Sequence, residues 1–531
     1  MAFSFSNEPS KNGYQLHGKI KREGIIIEGD VLLPDGNWGS WAAIRKQKNK
    51  EKSVDDKKDD ILIATTPKSW SPNLAFGRTK EIADQPLVFK NITLWTNEAE
   101  GVINNASLVC FAGKIILISK GEVIIPPNAI IIDGKGMHLT TGIIDEHSHI
   151  AISRGVNEGG QTVSAEVSIA DVVNPDDINI YRQLAGGVTA AQLLHGSANT
   201  IGGQSALVKL KWGFSPDEML IPNAPKFIKC ALGENVKQAN WGDFNTVRFP
   251  QTRMGVEQVF YDGFKRAQVY KKDWDAYLLS RKAEYTIAPR KDLELEVLCE
   301  ILSGERKITC HSYVQSEINM LMKVADSMGF TVNTFTHILE GYKVADKMKE
   351  HGVGASTFSD WWAYKFEVNE AIPYNASLMH QQGLVVAINS DDAEMGRRLN
   401  QEAAKSVKYG GMSEIDAWKM VTLNPAKLLH LDDRMGSMRV GKDADLVMWS
   451  DNPLSINAIV QMTVVDGKVL FSLEEDKLLQ TRDKLERARL TSAMLRDNKT
   501  NQETQQFKPK RNKNFHCNTI GEEESESENT H

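Results

Sequence analysis

Cysteine is scarce in this sequence, and its spacing excludes two structural classes. The 531 residues include five cysteines, and no two of them have the CxxC spacing. They therefore form neither the close pairs of a thiolate zinc site nor the dense framework of a small disulfide-stabilised protein. We expect the thiols to be reduced. The five are Cys110, Cys230, Cys299, Cys310 and Cys517.

Positive charge and long apolar runs are also limited. Lys and Arg number 63 against 69 Asp and Glu, which gives a net charge of −6. Such a chain lacks the broad positive field that attracts nucleic acid or an anionic membrane, so we expect neither partner. No apolar run approaches the ~18 residues of a membrane span, and no basic segment followed by an apolar one begins the chain. We expect a cytoplasmic protein as the chain stands, or an exported one if a signal was removed.

Hydrophobic residues make up 41% of the chain, enough for a large core. Residues 1–85 predict a leader that is partly β and to which we assign no role. Short β-like runs over 86–137, and again over 432–473, predict a composite β-sandwich built from both flanks of a central region. Residues 474–531 predict a helix followed by a disordered acidic tail.

The central region, 138–431, alternates apolar strand-like runs with helical patterns. This alternation predicts an α/β fold, specifically a (β/α)8 TIM-like barrel. Finding eight strands is the difficulty, and ALVKLKWG (206–213) is the candidate for the missing one. The other strand candidates are 138–150, 187–194, 226–236, 307–313, 331–338, 352–358 and 384–392.

The strongest chemical pattern is Asp145-Glu146-His147-Ser148-His149, at the end of an apolar strand candidate. Side chains at i and i+2 lie on one face of a strand, so His147 and His149 should point together. In a barrel, the C-terminal ends of the strands form the face where active sites lie. Two imidazoles placed there suit a divalent transition metal such as zinc.

Three further side chains have the same position in their own strand candidates. His311, His337 and Asp391 each lie toward the C-terminal end of a separate run. One buried histidine is usually a packing residue, but a barrel would gather these three around the first pair. The pattern therefore predicts a joint metal site.

These motifs resemble the amidohydrolase superfamily, in its imidazolonepropionase-related branch. The resembling stretch covers 86–471, and its most specific pieces are TTGIIDEHSH, GGVTAAQLLHGSANTIGGQ, LGENVK followed by TRMG, THILEG, INSDDAE, TLNPAKLL and VGKDADLVMW. The resemblance implies a (β/α)8 barrel with a β-sandwich from both flanks. It also implies hydrolysis at a carbon bonded to nitrogen by a metal-activated water.

The resemblance further implies roles for the individual residues. His147 and His149 match the first-strand ligands, while His311 and His337 match the fifth- and sixth-strand histidines. Asp391 matches the eighth-strand aspartate, a metal ligand that also shuttles a proton and is thus the catalytic residue. A carboxylate beside an activated water can accept its proton and deliver it to a leaving nitrogen.

The fourth-strand position distinguishes one metal from two. A two-metal member carries a bridging carboxylate there, and FIKCALGENVK offers Glu234 or a carboxylated Lys229. In a regular strand these two have opposite parity, so both should not face inward. Glu234 is at the strand's end and is anionic without modification. We therefore predict Glu234 as the ligand and keep Lys229 as the alternative.

Several residues near these motifs have structural interpretations as good as functional ones. Arg253 is a candidate for binding a substrate carboxylate, or for a salt bridge. His195 fits a loop role, and Trp361 and Trp362 fit either packing or substrate contact. Asp392 should face away from Asp391, since adjacent strand residues point to opposite sides.

The sequence thus predicts a zinc-dependent hydrolase of C–N bonds with one or two ions. Its expected partner is a small-molecule amide, with N-acyl amino acids or dipeptides first. An imidazolonepropionase-like ring opening, a deaminase and a catalytically inactive barrel scaffold are the alternatives. A homo-oligomer is compatible with the sequence.

Overall fold

A computed structural model describes residues 2–5, 14–21, 26–33, 35, 37–44, 69–153, 155–238, 241, 248–280 and 287–498. Part of the predicted leader, residues 45–68, and the predicted acidic tail lie outside these residues. The chain divides into two compact units, one from residues 1–68 and 481–508 and the other from residues 69–480 and 509–531.

The strands occur in three groups along the chain. The first group is β1 (Ala2–Phe5), β2 (Tyr14–Lys21), β3 (Ile26–Leu32) and β4 (Trp38–Ile44). The second is β5 (Leu87–Trp95), β6 (Val102–Phe111), β7 (Lys114–Lys120), β8 (Ile130–Asp133), β9 (His138–Thr141), β10 (Ile143–Ser148), β11 (Val188–Leu193), β12 (Ile201–Gln204), β13 (Ala206–Lys209), β14 (Lys226–Ala231), β15 (Arg306–Ser312), β16 (Thr334–His337), β17 (Gly354–Thr357) and β18 (Val386–Ile388). The third is β19 (Leu446–Trp449), β20 (Val460–Val465) and β21 (Lys468–Ser472).

The described α-helices lie mostly between the strands of the central region. They are α1 (Ile178–Leu184), α2 (Pro216–Met219), α3 (Arg253–Ser280), α4 (Leu293–Leu302), α5 (Gln315–Met328), α6 (Ala345–His351), α7 (Asn375–Gln381), α8 (Ala393–Gly396), α9 (Leu399–Gly410), α10 (Glu414–Lys419), α11 (Leu423–Leu428) and α12 (Leu473–Asn498). Short 3-10 helices occupy 169–172, 341–343 and 366–368. The fold is therefore mixed α/β, as predicted.

Strands β1 to β4 form an antiparallel sheet in chain order, within the first unit. Trp41 lies in β4, and its indole N–H contacts the backbone oxygens of Asp30 in β3 and of His17 in β2. This sheet is the described β part of the predicted leader.

The two flanking regions join in one sheet of eight strands. Its order is β21-β20-β19-β9-β5-β6-β7, with β8 paired to β5. The junction is the antiparallel pairing of β9 with β19. Apolar side chains of both flanks, such as Phe89, Leu108 and Leu446, share one buried cluster. We had assigned 138–141 to the first strand of the central region, but β9 belongs to this flanking sheet.

The central region contains a three-stranded sheet, β10-β11-β13, and a six-stranded sheet, β12-β14-β15-β16-β17-β18. Strands β14 to β18 are all parallel, and β10 is parallel to β11. Buried side chains occupy both faces of most of these strands, as expected for parallel strands covered by helices.

The segment 201–209 departs from the expected all-parallel pattern. Its first part, β12, pairs antiparallel with β14, and its second part, β13, pairs antiparallel with β11. Only Ser205 separates the two parts, so one extended segment borders both central sheets. The predicted strand at 206–213 exists as β13, which ends at Lys209, but its pairing is antiparallel where a barrel strand was expected to be parallel.

A buried ion cluster fastens the central region to the flanking sheet. Lys209, at the end of β13, contacts the carboxylates of Asp443, Asp445 and Asp466. Lys209 pairs with Ala190 near the start of β11, so this cluster lies away from the C-terminal end of that strand. The lysine ammonium is 3% exposed. Despite burial, the three aspartates raise the pKa of Lys209.

None of the described helices is long and apolar enough to cross a lipid bilayer.

Candidate metal centre

The predicted site residues come from neighbouring strand ends. His147 lies in β10 with His149 just after it, and His337 is the last residue of β16. The register pairs Ala231 of β14 with His311 of β15, and Ser312 with His337. Since parallel strands in register end at one edge, the histidines reach the same place.

Two of these residues have an unusual backbone. His337 has φ 69° and Asp391 has φ 49°, in the left-handed region that costs a non-glycine residue roughly 1–3 kcal/mol when held there. Hydrogen bonds fix both positions: the Thr357 hydroxyl donates to the His337 carbonyl at 3.0 Å, and the Asp391 N–H donates to the His147 carbonyl at 3.1 Å. Such strain concentrates at functional sites.

The donor atoms of three residues converge. The Nε2 atoms of His147 and His149 are 3.2 Å apart, and Asp391 Oδ1 lies 3.3 Å and 3.2 Å from them. All three side chains are buried. His337 Nε2 is 3.8 Å from the other Asp391 oxygen, and the rings of His311 and His337 have centroids 4.7 Å apart.

The spacing fits a divalent ion. Two ligand atoms each ~2.1 Å from one ion, at a tetrahedral angle, lie ~3.4 Å apart, close to the observed separations. Both ring nitrogens of His311 are buried and have no hydrogen-bond partner among the described residues. Buried polar atoms are normally satisfied, so these nitrogens also suit a metal. His147, His149 and Asp391 could therefore bind a metal ion.

The protonation states of the cluster favour metal binding. Burial lowers the pKa of His147 to about 3, with a further contribution from the nearby Lys229 ammonium. Burial likewise holds the pKa values of His311 and His337 well below the usual range. Burial alone would raise the pKa of Asp391, but the adjacent His147 and His337 hold it well below its ordinary value. Neutral imidazoles and an ionised carboxylate are the forms that ligate metals.

Lys229 and Glu234 occupy different places. Lys229 is buried, and its Nζ lies 3.1 Å from His147 Nε2. Glu234 lies beyond the end of β14 and pairs with Lys237 and Arg253, each at 3.0 Å. The structure therefore brings Lys229, and not the preferred Glu234, to the histidines. We had placed Glu234 at the end of a regular strand, whereas β14 already ends at Ala231.

The other candidates lie around this cluster. Arg253 opens α3 and pairs with Glu234 and with the buried Glu317, at 3.0 and 3.1 Å, which is the salt-bridge alternative. His195 Nε2 accepts the backbone N–H of Glu158 and thereby holds a loop. Asp392 caps α8 by accepting two backbone N–H groups.

An aromatic stack borders the histidines. Phe358 stacks on His337 with centroids 4.6 Å apart, and Trp361 stacks on Phe358 at 4.3 Å. Tyr313 stacks on His337 at 5.6 Å, and its hydroxyl lies 3.1 Å from that of Tyr364. We had not singled out Phe358, Tyr313 or Tyr364. The available signal was the position of Tyr313 and Phe358 at the ends of the predicted strands 307–313 and 352–358.

Two buried carboxyl groups beside the ligands were also missed. Asp145 accepts the Ser390 backbone N–H at 3.1 Å and the Ser390 hydroxyl, which ties β10 to the segment carrying Asp391. Glu146 lies within hydrogen-bonding distance of Thr336. Both residues are part of the DEHSH motif, and their neighbours in space belong to other strands.

Known proteins are similar to this chain over part or most of its length. The profile of the Amidohydrolase family matches residues 368–470. Among solved structures, an amidohydrolase from Thermotoga maritima MSB8 is 30% identical, with a TM-score of 0.65 over 73% of this chain and 100% of that chain.

Two curated relatives also align over most of this chain. Amidohydrolase tasK of Hapsidospora irregularis is 28% identical over 429 residues, covering 73% of this chain but 43% of its own length. The chain therefore spans less than half of that relative. An imidazolonepropionase from Thermoplasma acidophilum is 22% identical over 423 residues, covering 72% of this chain and 92% of that protein. From the full-length match to the Thermotoga structure and the family profile, we conclude that the chain belongs to the amidohydrolase family, a family of hydrolases.

Proposed function

We propose that this protein hydrolyses a C–N bond in a small-molecule amide, with zinc held by His147, His149 and Asp391. The observation that supports the proposal most strongly is the convergence of these three donor atoms within 4.8 Å of one another in a member of a hydrolase family. Neutral imidazole and carboxylate ligands suit zinc among the common divalent ions.

The supporting architecture is a closed (β/α)8 barrel. The segment 201–209 borders both central sheets, and the hydrogen bond from the Asp391 N–H to the His147 carbonyl connects β10 with the end of β18. The eight positions of the barrel would be β10, β11, the segment 201–209 and β14 to β18. The site then lies at the C-terminal ends of the parallel strands, where barrel enzymes place their chemistry.

The ion, when bound, supplies a Lewis acid that acidifies water and polarises the scissile carbonyl. Asp391 accepts a proton from the attacking water and delivers it to the departing nitrogen as the C–N bond breaks. Water and amide thereby give a carboxylic acid and an amine. The carboxylate can do this because its low pKa keeps it ionised before attack. The histidines remain neutral throughout, as their burial favours.

His311 and His337 are our candidates for holding a second ion, with Lys229 as the bridging residue after its Nζ is carboxylated. Lys229 Nζ lies 3.1 Å from His147 Nε2, while the Glu234 carboxylate already forms ion pairs with Lys237 and Arg253. Carboxylation by CO2 forms an N–C bond at Nζ, releases two protons from the ammonium group and converts a cation into an anionic ligand. The change would replace the positive charge that now faces His147 with a negative charge, which suits a site for two metal ions.

Dipeptides and N-acyl amino acids are the first substrate class to test. The aromatic stack of Phe358 and Trp361 on His337 supplies an apolar wall beside the ligands, suited to an acyl or side-chain group. A second class is a cyclic amide opened as by an imidazolonepropionase, because that relative aligns over 92% of its own length.

The direct experiment assays zinc-loaded protein against a panel of dipeptides, N-acyl amino acids, imidazolone propionate and aminated heterocycles. The readouts are amine release, ring opening and ammonia release. Turnover of any member that disappears in Asp391→Asn supports the proposal, and the preferred member decides between the two classes. Release of ammonia from an aminated ring without amide cleavage would instead identify a deaminase. Metal-loaded protein inactive on every class would contradict the proposal.

A further inference from the structure

A buried threonine connects a metal-ligand histidine to a carboxyl group. The Thr336 hydroxyl lies 2.9 Å from His147 Nδ1, the ring nitrogen that faces away from the other ligands. The same hydroxyl is 3.4 Å from Glu146 Oε2 and 3.3 Å from the side-chain nitrogen of Asn389. All four side chains are buried.

Thr336 reaches His147 because the backbone of the next residue is unusual. Adjacent residues on a strand normally point to opposite faces, yet Thr336 and His337 both contact His147, the second by rings with centroids 4.4 Å apart. The left-handed φ of 69° at His337 breaks the alternation. One strand end thus supplies both a ligand and a group behind another ligand.

Counting donors and acceptors assigns the protons. A hydroxyl offers one donor and two acceptor positions. Asn389 Nδ2 donates to Thr336, and Thr336 donates to Glu146, so one acceptor position remains for His147. The imidazole must then carry its proton on Nδ1 and donate it to Thr336. In the metal-free protein, the Lys229 ammonium 3.1 Å from Nε2 favours the same assignment, because it can only donate.

We propose that Thr336 is a positioning residue that fixes the Nδ1-protonated tautomer of His147 through the chain His147–Thr336–Glu146. This inference rests on the proposed metal site, because the tautomer leaves the Nε2 lone pair directed at the ion. Ligand histidines usually donate their other N–H to an oxygen, which fixes both ring orientation and tautomer. Here a hydroxyl is placed between the imidazole and the carboxyl group.

The test compares Thr336→Val, which keeps the shape and removes the hydroxyl, with Thr336→Ser, which keeps the hydroxyl and removes the methyl group. Zn2+ affinity is measured by competition with a chromophoric chelator, and histidine tautomers are measured by 15N NMR of the metal-free protein. We expect Thr336→Val to bind Zn2+ about 10–100-fold more weakly and to show a smaller Nδ1-protonated fraction of His147. Thr336→Ser should restore both.

Thr336→Ala removes the same hydroxyl and serves as the second variant if Thr336→Val does not fold. Loss in Thr336→Ser but not in Thr336→Val would show that packing alone matters, and an unchanged tautomer in Thr336→Val would overturn the proposed role of Thr336. If wild-type protein binds no Zn2+, the proposed function fails. The NMR measurement on metal-free protein still decides whether Thr336 sets the tautomer.

Discussion

Two buried clusters in this chain could each suit a cation, and they differ in how their charges are satisfied. His147, His149 and Asp391 form one, and Asp443, Asp445 and Asp466 form the other. The aspartate cluster already surrounds the Lys209 ammonium and receives three more cations from Lys114, Lys211 and Arg434. The histidine cluster contains one carboxylate among neutral rings.

The difference teaches that an acidic cluster alone is weak support for a metal site. Three carboxylates with four neighbouring cations need no further positive charge, so the aspartate cluster stabilises the contact between the central region and the flanking sheet. In the histidine cluster, lone pairs converge and the ring nitrogens of His311 have no hydrogen-bond partner within the described part of the chain. The aspartate cluster should therefore control stability and the histidine cluster should control chemistry, as expected for the two ends of the proposed barrel.

Asp391→Asn should have the largest effect of any single change. The amide cannot accept a proton, so turnover should fall by roughly 10³-fold or more, as expected for loss of a general base. Steady-state kinetics on the preferred substrate measures this, and thermal unfolding should show an intact fold. Asp443→Asn is the matched control, and its turnover per folded chain should stay near wild type. Near-normal turnover in Asp391→Asn would refute the assigned role.

Lys209→Met should act in the opposite way, on stability and not on chemistry. Removing the ammonium leaves buried carboxylates facing one another, and breaking a buried ion pair costs about 3–5 kcal/mol of unfolding free energy. Denaturant unfolding followed by circular dichroism measures the loss. Lys271→Met, which breaks an exposed pair with Asp275, should cost at most ~1 kcal/mol. An equal loss of unfolding free energy in the two variants would contradict a structural role for Lys209.

The effect of metal removal on stability should depend on the histidine cluster and not on the aspartate cluster. Because zinc binds the folded state, saturation at 100 times the dissociation constant stabilises by about 2.7 kcal/mol. Chelation should lower the melting temperature of wild type, and this shift should vanish in His147→Ala but persist in Asp443→Asn. A chelation shift of wild-type size in His147→Ala would place the ion elsewhere.

The pH dependence of stability should show the smallest effect. Lys209 has a raised pKa, so its contribution is complete below ~10.4, the unfolded value, and declines as the pH rises through the folded value. The pKa values of Asp443 and Asp466 are lowered, despite burial, by Lys209. Their contribution is complete above ~3.9 and declines as the pH falls.

Burial raises the pKa of Asp445, so this carboxyl group works in the opposite sense and reduces the acid loss. We expect a net loss on the order of 1 kcal/mol at either extreme, taken as wild type minus Lys209→Met from unfolding at each pH. A difference independent of pH would mean that the cluster does not titrate with folding.

The sequence could predict which histidines and which aspartate the structure brings together, because local pattern and strand position are both visible in it. His147 and His149 share a face by spacing alone, and His311, His337 and Asp391 follow recognisable apolar runs. The mixed α/β fold followed from the same runs. These features depend on residues close together in the chain.

The remainder depends on where strands end and which distant residues meet. Strand β14 stops at Ala231, so Glu234 leaves the face that Lys229 occupies. The antiparallel pairing of segment 201–209 is not visible in its sequence, because parallel and antiparallel strands share the same two-residue period. Lys209 and Asp443 are 234 positions apart, and no local pattern connects them.

The most direct test is metal content per chain by elemental analysis, on protein never exposed to chelator. We predict about one or two zinc ions in wild type, fewer in Lys229→Ala if two are present, and none in the double variant His147→Ala/His149→Ala. Asp443→Asn should keep the wild-type content. Wild type without metal, or loss in Asp443→Asn with retention in the histidine variant, would contradict the assignment of chemistry to the histidine cluster.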